Sequence, residues 1–124
     1  MIFSVGIDIV EIKRIKTAYI QHGKKLLDRI FTEKEQKSFN KANKNFSKLA
    51  TRFAAKEAVS KAFRTGIGKI YWKDIEILNE NNGAPYVNLH GKALELFKKL
   101  GLKNIHISLS HSQNYGMAVC ILEK

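Results

Sequence analysis

Four alanines, Ala50, Ala54, Ala58 and Ala62, recur every four residues, and no other feature limits the fold of this chain so tightly. That spacing keeps them in one row along a helix, with Phe46, Leu49, Phe53 and Phe63 beside the row. A row of small side chains lets another backbone pack close. Ser47 is placed to cap this helix, which is expected to run to about Arg64. Gly66 and Gly68, able to take positive φ, are expected to end it.

The rest of the chain can be read against that helix. Phe3, Val5, Ile7 and Ile9 alternate with Ser4, Gly6, Asp8 and Val10, the period-two pattern of a half-buried strand. Asp8 then points away from the Phe3/Ile7 face, near the strand's end. A lysine-rich segment follows, and Thr32-Glu33-Lys34-Glu35 has capping-box spacing, which predicts a helix start. Ile75 to Leu78 and Tyr86 to Leu89 read as short strands joined by the turn-rich stretch Asn79 to Pro85. Lys92 to Leu100 reads as an amphipathic helix closed by Gly101. Ile105, Ile107 and Leu109 alternate with His106, Ser108 and Ser110 in a further strand, and Met117 to Leu122 forms the last. Strand, helices, two strands, helix, two strands: the order predicts an α+β fold with an antiparallel sheet and helices on one face, in one domain spanning residues 1–124.

Charge narrows the choice of partner. With 22 basic against 11 acidic side chains, the formal net charge is +11, which favours nucleic acid, phosphorylated small molecules or an acidic protein. Solvated lysine faces give the same sum. Cys120 is the only cysteine, so no internal disulfide can form and a multi-cysteine zinc site is excluded. A reducing, cytoplasmic setting is the expectation, with Cys120 as a small core residue. No apolar run approaches the ~18 residues of a membrane span, and no charged leader precedes Asp8.

Three groups of residues could carry chemistry. Asp8 ends an apolar strand, and Glu57 sits in the alanine-rich helix, one turn before Lys61. Glu57 could simply pair with Lys61 at i,i+4. Alternatively Asp8 and Glu57 supply two hard oxygen ligands to Mg²⁺, which commonly takes one or two carboxylates and completes its shell with water and phosphate. Lys56, Lys61, Arg64 and Lys69 surround Thr65-Gly66-Ile67-Gly68, a cationic loop suited to polyphosphate. It cannot act as a P-loop, because it follows a helix whose C-terminus carries negative partial charge. Otherwise it is a glycine cap with solvated lysines. The third group, Ser108 to Ser112 with His111, lacks a G-x-S-x-G elbow and so does not read as a hydrolase; His111 could contact phosphate or ribose.

Two of these segments, Gly6-Ile7-Asp8-Ile9-Val10-Glu11-Ile12-Lys13-Arg14-Ile15 and Arg52-Phe53-Ala54-Ala55-Lys56-Glu57-Ala58-Val59-Ser60-Lys61-Ala62-Phe63, resemble the signatures of the bacterial holo-acyl-carrier-protein synthases, a family of phosphopantetheinyl transferases. Thr65 to Gly68, Asn82 to Tyr86 and Ser108 to Ser112 match in the same order, and the resemblance covers essentially the whole chain. Arg64 departs from it, since glycine is more usual before this Thr-Gly. The resemblance implies that Asp8 and Glu57 ligate Mg²⁺ and that Lys61 lies by the pyrophosphate of coenzyme A. It implies further coenzyme contacts from Arg52, from Thr65, Gly66 and Gly68, from Pro85 and from His111. It implies a homotrimer with sites between neighbouring subunits. Arg14 is similar to the family's docking residue for acyl carrier protein, an acidic partner that suits the +11 charge.

Two other classes fit parts of the pattern. A small basic nucleic-acid-binding module would use the charge and Tyr71/Trp72, although no RNP-like, KH-like or zinc-finger pattern is present. A non-catalytic adaptor for acidic proteins would use the Arg14 surface alone.

Overall fold

In the computed structural model, which describes residues 1–124, the elements are β1 (Ile2–Glu11), α1 (Ile12–His22), α2 (Lys24–Ile30), α3 (Glu33–Lys41), α4 (Phe46–Ala62), β2 (Ile75–Asn79), β3 (Pro85–Leu89), α5 (Gly91–Lys99), β4 (Asn104–His111) and β5 (Tyr115–Glu123). β1, β5 and β4 form an antiparallel sheet with β5 in the middle, and β2 and β3 form a separate hairpin. Helix α4 packs across β1 and β5 on one face of the larger sheet. The expected class and element order are those observed.

The alanine row explains this packing. Ala50, Ala54, Ala58 and Ala62 are all fully buried. At Gly6 of β1, an added Cβ would overlap the carbonyl oxygen of Ala58 and lie 2.8 Å from the amide nitrogen of Ala62. Main chain therefore touches main chain. Gly116 of β5 approaches the same helix less closely, where an added Cβ would lie 3.2 Å from Thr51 and 3.3 Å from the Ala50 carbonyl carbon. Asn45 rather than Ser47 caps the helix, its side chain accepting a hydrogen bond from the Lys48 amide at 3.2 Å.

This close approach reverses the expected face of β1. Ser4, Gly6, Asp8 and Val10 face α4, whereas Val5, Ile7 and Ile9 are 57%, 55% and 60% exposed. A period of two tells which residues share a side, not which side is covered. On the open side, Ile7 neighbours Val119 and Ile9 neighbours Met117, so an aliphatic strip crosses the sheet. Cys120, paired with Gly6 on the covered side, is fully buried as expected, and burial pushes its thiol up to about 12.

The lysine-rich segment after β1 holds two helices that its sequence conceals. No side chain caps α1, and its apolar residues are diluted by Lys13, Arg14 and Lys16; Ile15 is its one buried residue. The capping box at Thr32 and Glu35 is present as expected. At the other end of α4, Arg64 reverses the chain ahead of the glycines, with φ +66°. A non-glycine residue there costs roughly 1–2 kcal/mol. Its guanidinium offsets this by donating to the Phe3 carbonyl at 3.2 Å and lying over the Phe3 ring at 4.9 Å. That is how arginine stands where the family pattern favours glycine.

Candidate active site

Asp8 and Glu57 are brought together. β1 presents Asp8 toward α4, two residues past the Gly6 contact, and α4 presents Glu57 one residue before Ala58, the residue touched. Both line one cavity of about 440 Å³, walled by Ile15, Leu26, Ile30, Phe31 and Phe53. Arg14 of α1 lines the same cavity.

The i,i+4 pair between Glu57 and Lys61 does not form. Lys61 turns to β1, donating to Asp8 Oδ1 at 3.1 Å and to the Ile7 carbonyl at 3.0 Å. The Glu57 carboxylate takes no hydrogen bond or ion pair. Burial first, and the neighbouring Asp8 charge second, push its pKa above the ordinary glutamate value, against the smaller pull of Lys61. Two hard oxygen donors thus share a cavity; Asp8 holds the Lys61 ammonium and Glu57 is left unpaired. No third His, Cys, Asp or Glu joins them. This donor set fits Mg²⁺, which needs few protein ligands when phosphate and water supply the rest.

Arg52, Pro85 and His111 gather elsewhere. They line a second groove of about 400 Å³ together with Lys48, Asn79 and Ser110. Arg52 lies five residues before Glu57, well round the helix from it, and its guanidinium donates to Asn79 Oδ1 and to Thr51 Oγ1. Burial lowers its pKa, partly countered by Glu35. His111, at the end of β4, is exposed, its nearest polar partner the adjacent Ser112 carbonyl at 3.4 Å. Lys48 was missed by sequence reasoning, although its spacing of four from Arg52 puts it on that face. Thr65 and Gly66 line neither cavity; Gly68, with φ +128°, borders a third beside Arg29 and Tyr71. The apolar wall of the first cavity was missed too, because α1 and α2 supply most of it.

Lys56, adjacent to Glu57, is not a phosphate ligand. It is fully buried, donating to Glu35 Oε1 at 2.9 Å and to the carbonyls of Trp72 and Ile75. Trp72 itself stacks on Phe53 with ring centroids 5.0 Å apart, so core packing occupies it.

The profile of the 4′-phosphopantetheinyl transferase superfamily matches residues 4–120. The holo-[acyl-carrier-protein] synthase of Natranaerobius thermophilus is 46% identical over 122 residues, covering 98% of each chain. The crystal structure of holo-[acyl-carrier-protein] synthase from Neisseria meningitidis matches with a TM-score of 0.91 at 36% identity, over the full length of both chains. That of Helicobacter pylori holo-[acyl-carrier-protein] synthase in complex with coenzyme A matches with a TM-score of 0.86 at 31% identity, covering 96% of this chain and 99% of that one. The chain belongs to the holo-[acyl-carrier-protein] synthase family and is a phosphopantetheinyl transferase.

Proposed function

We propose that residues 1–124 act as one unit that moves 4′-phosphopantetheine from coenzyme A to a serine of an acidic acyl carrier protein, releasing adenosine 3′,5′-bisphosphate. The observation carrying this reading is the unpaired Glu57 carboxylate beside Asp8 in the first cavity. The serine oxygen forms a bond to the phosphorus that bears pantetheine, the bond from that phosphorus to the bridging oxygen breaks with adenosine 3′,5′-bisphosphate leaving, and the serine proton is released to solvent. Mg²⁺ bound by Asp8 and Glu57 would neutralise pyrophosphate charge as it builds on the leaving group. Lys61 supplies a second cation on the same side. Arg14, at the cavity lip on α1, places a positive charge where an acidic partner would bring its serine.

The coenzyme contacts expected of Arg52, Pro85 and His111 belong to a different groove, and the glycine loop to a third place. A homotrimer reconciles them: the groove of one subunit faces the carboxylates of the next. The aliphatic strip of Val5, Ile7 and Ile9 supports this reading, because such a surface on a small chain is suited to burial against copies of itself.

Mass spectrometry of a purified carrier protein, incubated with this chain, coenzyme A and Mg²⁺, tests both points. The carrier should gain one phosphopantetheine mass, and Glu57→Gln should slow the gain by ~10²–10³. Arg52→Ala should also be slow, yet Glu57→Gln and Arg52→Ala co-expressed should recover part of the rate, since mixed trimers rebuild some intact sites. Wild-type turnover by Glu57→Gln removes the carboxylate from the site, and no recovery on mixing removes the shared-site arrangement.

A further inference from the structure

Lys61 holds the position of an inner-sphere competitor. Its ammonium lies 3.1 Å from Asp8 Oδ1 and 3.0 Å from the Ile7 carbonyl, while Glu57, one turn earlier on the same helix, has no partner. The Asp8 side chain is 18% exposed, whereas that of Lys61 is 51% exposed and so only half confined by its neighbours. A divalent ion on Asp8 Oδ2 and an ammonium on Oδ1 share one carboxylate and repel each other. That repulsion favours departure of the ammonium when the ion arrives.

We propose that Lys61 is a placeholder cation, holding Asp8 until a divalent ion displaces it and then turning to the phosphate that arrives with that ion. The proposal rests on Asp8 and Glu57 being the metal ligands. Lys61 is thereby a positioning residue for the metal as well as a contact for phosphate. Metal and coenzyme then help each other bind: the phosphate draws Lys61 off Asp8, which opens the ligand to the ion. Linkage makes that help equal in both directions.

Mn²⁺ can be followed by the paramagnetic resonance signal of the free ion, on the full chain, with folding checked by circular dichroism. Without coenzyme, Lys61→Met should bind Mn²⁺ about two- to fivefold more tightly than wild type, since an ion pair of this exposure is lost. Lys61→Ala should do the same and serves where the methionine variant folds poorly. Arg14→Met removes a cation from the same cavity that is not paired with Asp8, and should tighten Mn²⁺ by less than about twofold. Saturating coenzyme A should tighten Mn²⁺ on wild type, and do so about two- to fivefold less on Lys61→Met. Unchanged or weaker Mn²⁺ binding by both Lys61 variants overturns the proposal, as does equal tightening by Arg14→Met. Retention of wild-type Mn²⁺ affinity by Glu57→Gln instead overturns the ligand assignment, and the proposal with it; the carrier-mass assay decides the transfer reading separately.

Discussion

Lys56 and Glu57 are neighbours on one helix, and their surroundings could hardly differ more. Lys56 points into a closed polar cluster. Its ammonium meets Glu35 and two carbonyls, Glu35 also accepts from the amides of Thr32 and Ile77, and Glu76 nearby accepts from Thr32, Asn88 and His90. No buried side-chain nitrogen or oxygen anywhere in the chain lacks a hydrogen-bond partner. Glu57 points the other way, into a half-open cavity, beside a like charge and with no partner of its own. A charge that the chain satisfies internally belongs to the architecture; a charge left wanting is what a ligand can complete.

The contrast can be broken most forcefully at Lys56. Lys56→Met leaves Glu35 buried without its cation and should cost about 3–5 kcal/mol in urea unfolding, with Glu35→Gln added to it restoring part of the loss. A loss below about 1 kcal/mol would show that the closed cluster does not hold the fold.

Acid probes the same cluster from Glu76. Burial raises its pKa, but hydrogen bonds from Thr32, His90 and Asn88 outweigh that and hold it below the ordinary glutamate value. A depressed folded pKa means that the contribution is complete above the unfolded value near ~4.3 and is lost as pH falls through the folded one. Wild-type stability should therefore drop in that acidic window. Glu76→Gln should be less stable at pH 7 by about 1–2 kcal/mol and should show a shallower acid slope.

The smallest effect sharpens the other side. With its pKa raised, Glu57 takes up its proton more readily in the folded protein than in the unfolded chain, so the metal-free chain gains stability as pH falls through the folded pKa. Glu57→Gln should accordingly melt slightly higher than wild type, by roughly 0.5 kcal/mol in calorimetry without divalent ions, while losing transfer. A lower melting point would place Glu57 among the structural charges.

Which of these regions could be read from sequence follows the same physics. The alanine row announced α4, and the Thr32–Glu35 spacing announced α3, because both rest on short-range geometry. Helices α1 and α2 stayed hidden: neither has a side-chain cap, and lysines interrupt their few core residues. The buried face of β1 was misjudged because Ile7 and Ile9 are more apolar than Gly6 and Ser4, yet only the smaller residues fit against α4. Asp8, Glu57 and Arg14 line one cavity, with Lys61 paired to Asp8 beside it. The division between their cavity and the Arg52–His111 groove depends on how strand β4 lies relative to α4, which no local pattern encodes.

The touching backbones at Gly6 and Ala58 have a last consequence, for how this chain can vary. Aspartate and glutamate ride on two main chains pressed together, so the gap between them is gauged by peptide planes rather than by packed side chains. The cavity's apolar wall, Leu26, Ile30 and Phe31, contributes no atom to that contact and so does not set the gap. One methyl group at residue 6 would reset it.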